Sequence, residues 1–382
     1  MPDILRSGQA LQQGMNQIAS FEDATAIPTG HPAIAARKPA LAVEGIRHAY
    51  HRAPILDDVS FGLSQGEILA LVGHSGSGKS TLLRIIAGLE RPQAGSVMIG
   101  GRPVCGPGLF VPPERRGIGL MFQDYALFPH MTNLDNVRFG LAHLPKREAE
   151  TLARRALENV GLGSRADDYP HALSGGEQQR IALARALAPS PAVLLMDEPF
   201  SNLDRRTRDV VRDETVSVLR NSGASAILVT HDPEEAMRLA DRVVLLRAGR
   251  VAQAGTPEEL YRQPASLFVA RFFSEFDEVD GVVRSGRADT LLGSFPASGM
   301  TEGAKAKVCI RPSAIRIGKT DSGVEARVLS RRFLGDSDLL HVGVEGIPKA
   351  LHARVPANLP ADTGEAVRLD LAHDEVMVFA AD

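Results

Sequence analysis

EILALVGHSGSGKSTLLRIIAGLE, residues 67 to 90, constrains this chain more than any other stretch. It opens on a short, nearly all-apolar run (67–73), the pattern of a strand buried on both faces. It closes on a segment where Leu82, Leu83, Ile85, Ile86 and Leu89 follow helical spacing. Between them GHSGSGKS fits G-x-x-x-x-G-K-[ST]. A chance Gly-rich turn needs neither a strand before it nor a helix after it, so this context marks a phosphate cradle. Backbone N–H groups from Gly73, His74, Ser75, Gly76, Ser77 and Gly78, and on into Thr81, converge on phosphate oxygens, and the helix adds its N-terminal dipole. Lys79 reaches the β- and γ-phosphates, and the Ser80 hydroxyl sits on Mg²⁺.

The rest of the first two thirds repeats the strand–helix theme. "AVLLMDEP", "SAILVTHD" and "RVVLLRAG" are buried-strand candidates, and "KREAETLARRALENVGL" carries a clean helical stripe at Ala149, Leu152, Ala153, Ala156, Leu157 and Val160. Strands alternating with helices indicate a parallel α/β sheet. "VLLMDE" ends on two carboxylates. Asp197 is placed to hold Mg²⁺, and Glu198, one residue on, is the candidate general base. Adjacent carboxylates at a strand end are by themselves an ordinary solvated loop; beside a phosphate loop that reading loses. His231 ends another strand, where open α/β sheets bind ligands, and is assigned to the γ-phosphate and the attacking water. Taken alone, a single histidine there is more often structural.

LSGGEQQR (173–180) reads as a capping box, with Ser174 and Glu177 opening a helix. The two intervening glycines exceed what a cap requires and ask what approaches Gly175 and Gly176. Composition adds limits. A hydrophobic fraction of 44% over 382 residues supports a real core and two or three domains, and a net charge of -3 carries no nucleic-acid bias. Cys105 and Cys309 are far apart, which argues against a disulfide framework or zinc site and fits a reducing cytoplasm. No apolar stretch approaches the roughly 20 residues that span a bilayer. Residues 1–40 read as a mobile tail, with Leu11, Met15 and Ile18 able to line a short helix. Order is expected from near Leu41, and a helical bridge from about 240 to 280. Beyond that, "LLHVGVEG" and "VRLDLAHDEVMVF" alternate as a small all-β domain does.

With Tyr50, GHSGSGKS, Gln123 in "MFQDYALFPHMT", LSGGEQQR, VLLMDEP, "SNLD" and "VTHD" in this order, the chain resembles ABC-type ATPases over about residues 41 to 275. The resemblance implies an α/β P-loop ATPase domain (41–275) with a helical subdomain. The β-rich part (280–382) resembles the OB-like accessory domain of bacterial importer subunits, on "CIRPSAIRI" with Ile310, Arg311 and Pro312. Family members usually begin close to Leu41. The resemblance further implies ATP as ligand, Tyr50 stacking on adenine, and Gln123 contacting Mg²⁺ and the water. Ser174, Gly175 and Gly176 would touch the γ-phosphate held by a second copy, and Asp204 would lie across the same homodimer interface. Asn202 in "SNLD", where "SALD" is more usual, reads as a tolerated change.

The same resemblance implies a peripheral ATPase at the cytoplasmic face of the inner membrane. Integral permease subunits would dock near "YALFPHMT", a segment that plain core packing explains equally well on residues alone. A periplasmic solute-binding protein would deliver the solute, and no nucleic acid is expected. Ferric iron is the first choice of solute, with polyamine, sulfate, thiamine or sugar as alternatives. A soluble ABC ATPase acting on ribosomes or DNA is the reading from another class. Such proteins commonly carry two cassettes or a long coiled-coil insertion, which this chain lacks. A binding module with dead catalysis is countered by the presence of both Glu198 and His231.

Overall fold

A computed structural model describes residues 38–381 apart from 52, 319–322 and 360; the expected tail at 1–37 lies outside the described residues. β1 (Pro39–Tyr50) and β2 (Ala53–Ser64) form an antiparallel hairpin, followed by β3 (Ile68–Val72), the phosphate loop and helix α1 (Lys79–Ala87). β4 (Ala94–Ile99), β5 (Arg102–Gly106) and β6 (Leu109–Phe110) complete an antiparallel sheet of order β2-β1-β4-β5-β6. β7 (Ile118–Met121) then leads into α2 (Asn133–Phe139), α3 (Lys146–Asn159) and α4 (Gly175–Leu187). β8 (Val193–Asp197), α5 (Arg205–Ser222), β9 (Ala226–Thr230), α6 (Pro233–Leu239), β10 (Arg242–Arg247) and β11 (Arg250–Gly255) come next. They close a second sheet of order β11-β10-β3-β9-β8-β7, parallel except at its edge strand β11.

β3 explains why the sheet sits where it does. All five of its residues are buried. Leu69 and Leu71 pack with α1 and the antiparallel sheet, while Ala70 and Val72 pack with α7 (Pro257–Arg262) and α8 (Leu267–Phe273). A strand covered on both faces needs no alternation, which is why its sequence is an unbroken apolar run. The first strand begins at Pro39, two residues before the position expected. The helical bridge expected from about 240 is shorter, because 242–255 form the hairpin that finishes the sheet. β2 was not among the expected strands, although Val59, Phe61 and Leu63 alternate inward as a half-buried strand does.

The helical stripe of α3 packs against α2 and α4 in a separate cluster. Asn136, fully buried, ties this subdomain to the preceding loop: its amide donates to the carbonyls of Phe128 and Thr132 and accepts from the Phe128 N–H at 2.8 Å.

The remaining chain is all β with short 3-10 turns. β12 (Asp277–Arg284), β13 (Arg287–Thr290), β14 (Gly293–Pro296), β15 (Lys305–Ile310), β16 (Ile315–Gly318), β17 (Val324–Phe333), β18 (Ser337–Val344), β19 (Leu351–Pro356), β20 (Ala366–Leu371) and β21 (Val376–Ala380) make two five-stranded sheets. The alternating residues Leu340, Val342, Val344, Val367, Leu369 and Leu371 all enter one core shared by both sheets. Arg311, buried, fastens this unit to the ATPase part: its guanidinium lies 4.0 Å from the Tyr261 ring and donates to the Tyr261 carbonyl.

A second buried arginine holds the far end of α1. Arg116 donates to the carbonyls of Val111 (2.7 Å), Ile85 and Ile86 (both 2.8 Å). The Ile85 and Ile86 carbonyls belong to the last turn; that of Ile85 also accepts from Gly88 N–H at 3.1 Å, and Arg116 supplies a donor to that of Ile86. Arg116→Ala should therefore lower the free energy of unfolding by about 2–3 kcal/mol. Urea denaturation checks this; an unchanged midpoint would mean that the carbonyls find other partners.

Candidate functional site

The ends of three parallel strands build the site. Val72 of β3 is in register with Thr230 of β9, and Asp197 of β8 with Val229. The next residues out of the sheet, Gly73, His231 and Glu198, therefore emerge side by side. An open cleft of 610 Å³ lies there, lined by residues 74–76 and 78–81, Glu198, His231 and Ile55 of β2. Gly78 begins α1 at φ 103, and a Cβ there would lie 2.7 Å from Leu56 Cδ2 and 2.9 Å from the Ile55 carbonyl oxygen. Only glycine lets the loop pass this close beneath β2. Ser77 turns away from the cleft; its side chain is buried, and its carbonyl accepts from Gly249 N–H at 3.2 Å.

Lys79 is buried and donates to the carbonyls of Gly73 (2.7 Å) and His74 (3.1 Å). Burial pushes its pKa down, while the carboxylates of Glu198 and Asp197 act the other way. The Asp197 carboxyl is pushed up from its usual range, first by burial and then by Glu198 beside it; Arg84, a hydrogen bond with Ser80, and Lys79 partly offset this. Glu198 leaves the strand at φ 45, a left-handed conformation uncommon for a side-chain-bearing residue. Its N–H donates to the Val229 carbonyl (3.0 Å), and its own carbonyl accepts from the Ser201 hydroxyl (2.9 Å). These bonds hold the turn that sends its carboxylate away from Asp197 and toward His231, whose Nδ1 lies 3.2 Å from Glu198 Oε1.

Gln123 is exposed on a loop whose shape other residues set. Tyr125 and Ala126 both take positive φ (62 and 45), and Arg185 of α4 donates to both their carbonyls at 2.7 Å. Asn202 donates its amide to the Gln123 carbonyl at 2.8 Å. The residue expected to be a tolerated change therefore joins the loop after Glu198 to the loop of Gln123. What Arg185 and Asn202 hold in place was invisible to sequence reasoning because their partners lie 59 to 79 positions away.

Ser174 caps α4 with the expected box. Its hydroxyl accepts from Glu177 N–H (3.4 Å), while the Glu177 carboxylate accepts from Ser174 N–H (2.9 Å) and hydroxyl (2.8 Å). Those bonds hold the Glu177 carboxyl below its usual range. The two glycines have different neighbours. A Cβ on Gly176 would lie 2.8 Å from Val211 and 3.3 Å from Thr207, so this glycine is needed for α4 to meet α5 within one chain. Gly175 is exposed, with only Leu203 near, at 3.6 Å. Asp204 opens α5 by accepting from Thr207 N–H at 3.1 Å. Neither Ser174–Gly176 nor Asp204 lines the cleft of its own chain, and Tyr50 also stands outside it, with its hydroxyl donated to Glu90.

At Ser80 a hydroxyl and the Asp197 carboxylate offer oxygen to a hard cation, while Gln123 stands on its exposed loop and is not among the residues that line the cleft. Among the described residues no cluster of three His, Cys, Asp or Glu groups could hold a metal by itself.

The chain is similar to known proteins over most of its length. Residues 56–201 match the ABC transporter family model and residues 308–379 the TOBE domain. The Fe(3+) ions import ATP-binding protein FbpC of Streptomyces coelicolor is 40% identical over 341 residues, covering 89% of this chain and 97% of that protein. The protein of the same name from Streptomyces avermitilis is 43% identical over 85% of this chain and 94% of its own length. The sulfate/thiosulfate import ATP-binding protein CysA 2 of Chromobacterium violaceum is 39% identical over 89% and 95%. Among solved structures, cbiO1 from Clostridium perfringens, part of the ABC transporter complex cbiONQ, aligns with a TM-score of 0.53 and 28% identity. The alignment covers 59% of this chain and 91% of that one.

Asp197 gives a pH-dependent test. Its proton is bound more tightly in the folded chain than in the unfolded one. Its contribution to stability is therefore complete below the unfolded pKa and is lost as pH rises through the folded one. Asp197→Asn should raise the melting temperature of the nucleotide-free protein by about 1–3 °C near neutral pH. The gain should vanish at about pH 3.5, where the wild-type carboxyl is itself protonated. Calorimetry at the two pH values checks this.

Proposed function

The chain belongs to the ABC transporter family as an import ATP-binding protein, and from that membership we propose that it hydrolyses ATP to energise ferric-iron import across the cytoplasmic membrane. The observation that carries the ATPase reading is the Glu198–His231 pair, 3.2 Å apart, facing Lys79 and Ser80 across one cleft. Iron as the solute is supported by the Fe(3+) import proteins that align along nearly this whole chain.

The chemistry comes from these side chains. Backbone N–H groups of the loop and of the α1 N-terminus take the phosphate oxygens. Lys79 exchanges its two loop carbonyls for the β- and γ-phosphates. Ser80, Asp197 and Gln123 would hold Mg²⁺, which when bound would draw negative charge from the β- and γ-phosphate oxygens. Glu198 accepts a proton from the attacking water as its oxygen bonds to the γ-phosphorus and the bond to the β–γ bridging oxygen breaks. His231, more than half exposed, stays free to meet the γ-phosphate while its Nδ1 positions the Glu198 carboxylate. Tyr50 stacks on the adenine.

Ser174, Gly175, Gly176 and Asp204 complete the site of a second copy in an isologous homodimer. The exposure of Ser174 and Gly175 supports this reading. Permease subunits dock at the helical subdomain beside Gln123, where Phe122 and Phe139 are exposed and a 460 Å³ groove passes His130 and Met131. In the same segment Tyr125 is buried, so core packing and docking divide the residues between them. A periplasmic binding protein delivers the iron from the other side. The chain sits peripherally at the cytoplasmic face; none of its described helices is long and apolar enough to cross a membrane.

Glu198→Gln should keep ATP binding and lower kcat by about 10²–10⁴-fold. Undiminished turnover would remove Glu198 as the base. Adding Ser174→Arg to that variant should leave ATP binding intact and abolish the ATP-dependent dimer in light scattering; a persisting dimer would refute the cross-subunit site. For the solute, the subunit reconstituted with its permease should be stimulated by a ferric-loaded binding protein. Stimulation by a sulfate-loaded one instead would favour the activity named for the Chromobacterium relative.

A further inference from the structure

The segment after α1 does more than end a helix. Gly88 turns the chain at φ 83, and a Cβ there would lie 2.4 Å from Arg116 Nε. The chain is thereby sent back over β1. Gln93 sews it down on either side of His48, with its N–H on the Arg47 carbonyl and its amide on the Ala49 carbonyl, both at 2.9 Å. Glu90 lies between these anchors. One carboxylate oxygen accepts the Tyr50 hydroxyl. The other is 2.8 Å from Nε2 of His48, a contact at ion-pair distance without the alignment of a hydrogen bond. His48 is buried, and its ring meets that of Tyr50 edge-on, centroids 4.8 Å apart and planes at 83°. Thr81, in the first turn of α1, lies close enough to act on the Tyr50 hydroxyl.

We propose that Glu90 is a positioning residue for nucleotide binding: it fixes the Tyr50 phenol, braced by His48, in the orientation that receives the purine base. The proposal rests on the reading that Tyr50 stacks on adenine. Tyr50 is more than one third exposed and, without this carboxylate, would hold its orientation only through the His48 edge and the Thr81 hydroxyl. Ordering a free aromatic side chain on binding costs up to about an order of magnitude in affinity. Glu90 meets that cost before the nucleotide arrives. Because Glu90 follows α1 directly, it also keeps the base platform in fixed relation to the phosphate loop at the other end of the same helix.

The test compares two ligands on the full-length protein by calorimetry: MgATP, which needs both ends of the site, and Mg-tripolyphosphate, which has no base. Glu90→Ala and Tyr50→Phe should each weaken MgATP about three- to tenfold and leave tripolyphosphate unchanged. The double variant should be no weaker than either single one. In turnover, the loss in Glu90→Ala should fall on KM for ATP and spare kcat. Glu90→Gln, which keeps an acceptor for the hydroxyl, should restore most of the affinity. Weakening of both ligands alike in Glu90→Ala would mean general damage to the phosphate loop and overturn the proposal. So would wild-type ATP affinity in Glu90→Ala when Tyr50→Ala is impaired. Wild-type affinity in Tyr50→Ala would instead overturn the stacking reading itself.

Discussion

Burial of β3, β8 and β9 on both faces is the constraint on which the site depends. Strands covered on both sides can carry little but apolar side chains, so polar chemistry is driven to their ends. Parallel pairing then brings those ends together: Val72 beside Thr230, and Asp197 beside Val229. Gly73, Glu198 and His231 become neighbours although 158 positions separate the first from the last. The antiparallel sheet adds Ile55 above the loop and Tyr50 beyond it, and the helices after β11 seal the opposite face through Leu260 and Phe273.

Where a function is written in consecutive residues, the sequence was legible. Lys79 and Ser80 follow a strand and open a helix, Asp197 and Glu198 end a strand, and the Ser174–Glu177 box is where its spacing put it. The alternation at Leu340–Val344 and Val367–Leu371 likewise announced a β unit with one buried face. What escaped notice depends on contacts distant in sequence. Arg116 has no local signature, yet it closes the end of α1. Gly176 sits in a recognisable motif, but part of its reason lies in Val211 and Thr207, about one helix further along the chain. No spacing rule connects those positions.

The loop at 123–126 shows how such distant contacts matter. Two consecutive non-glycine residues in left-handed conformations cost about 1–3 kcal/mol each and persist only where their surroundings compel them. Here Arg185 holds both carbonyls, Asn202 holds that of Gln123, and the Tyr125 ring is buried beneath. Arg185 belongs to α4 and Asn202 to the turn after Glu198. The loop thus stands where the helical subdomain and the carboxylate turn meet: a shift of α4 reaches it at Tyr125 through a hydrogen bond of 2.7 Å, and a shift of the carboxylate turn reaches Gln123 itself through one of 2.8 Å.

The cap of α4 is a helix end that already carries its own anion. Glu177 occupies both the N–H and the hydroxyl of Ser174, and the low pKa of its carboxyl records how well it fits there. A second anion that takes the same Ser174 N–H and hydroxyl displaces the first. The event is an exchange of ligands, one charge for another, rather than the filling of an empty positive end. Exchange makes the helix end selective, since any anion that takes the Ser174 N–H and hydroxyl must compete for them with the Glu177 carboxylate.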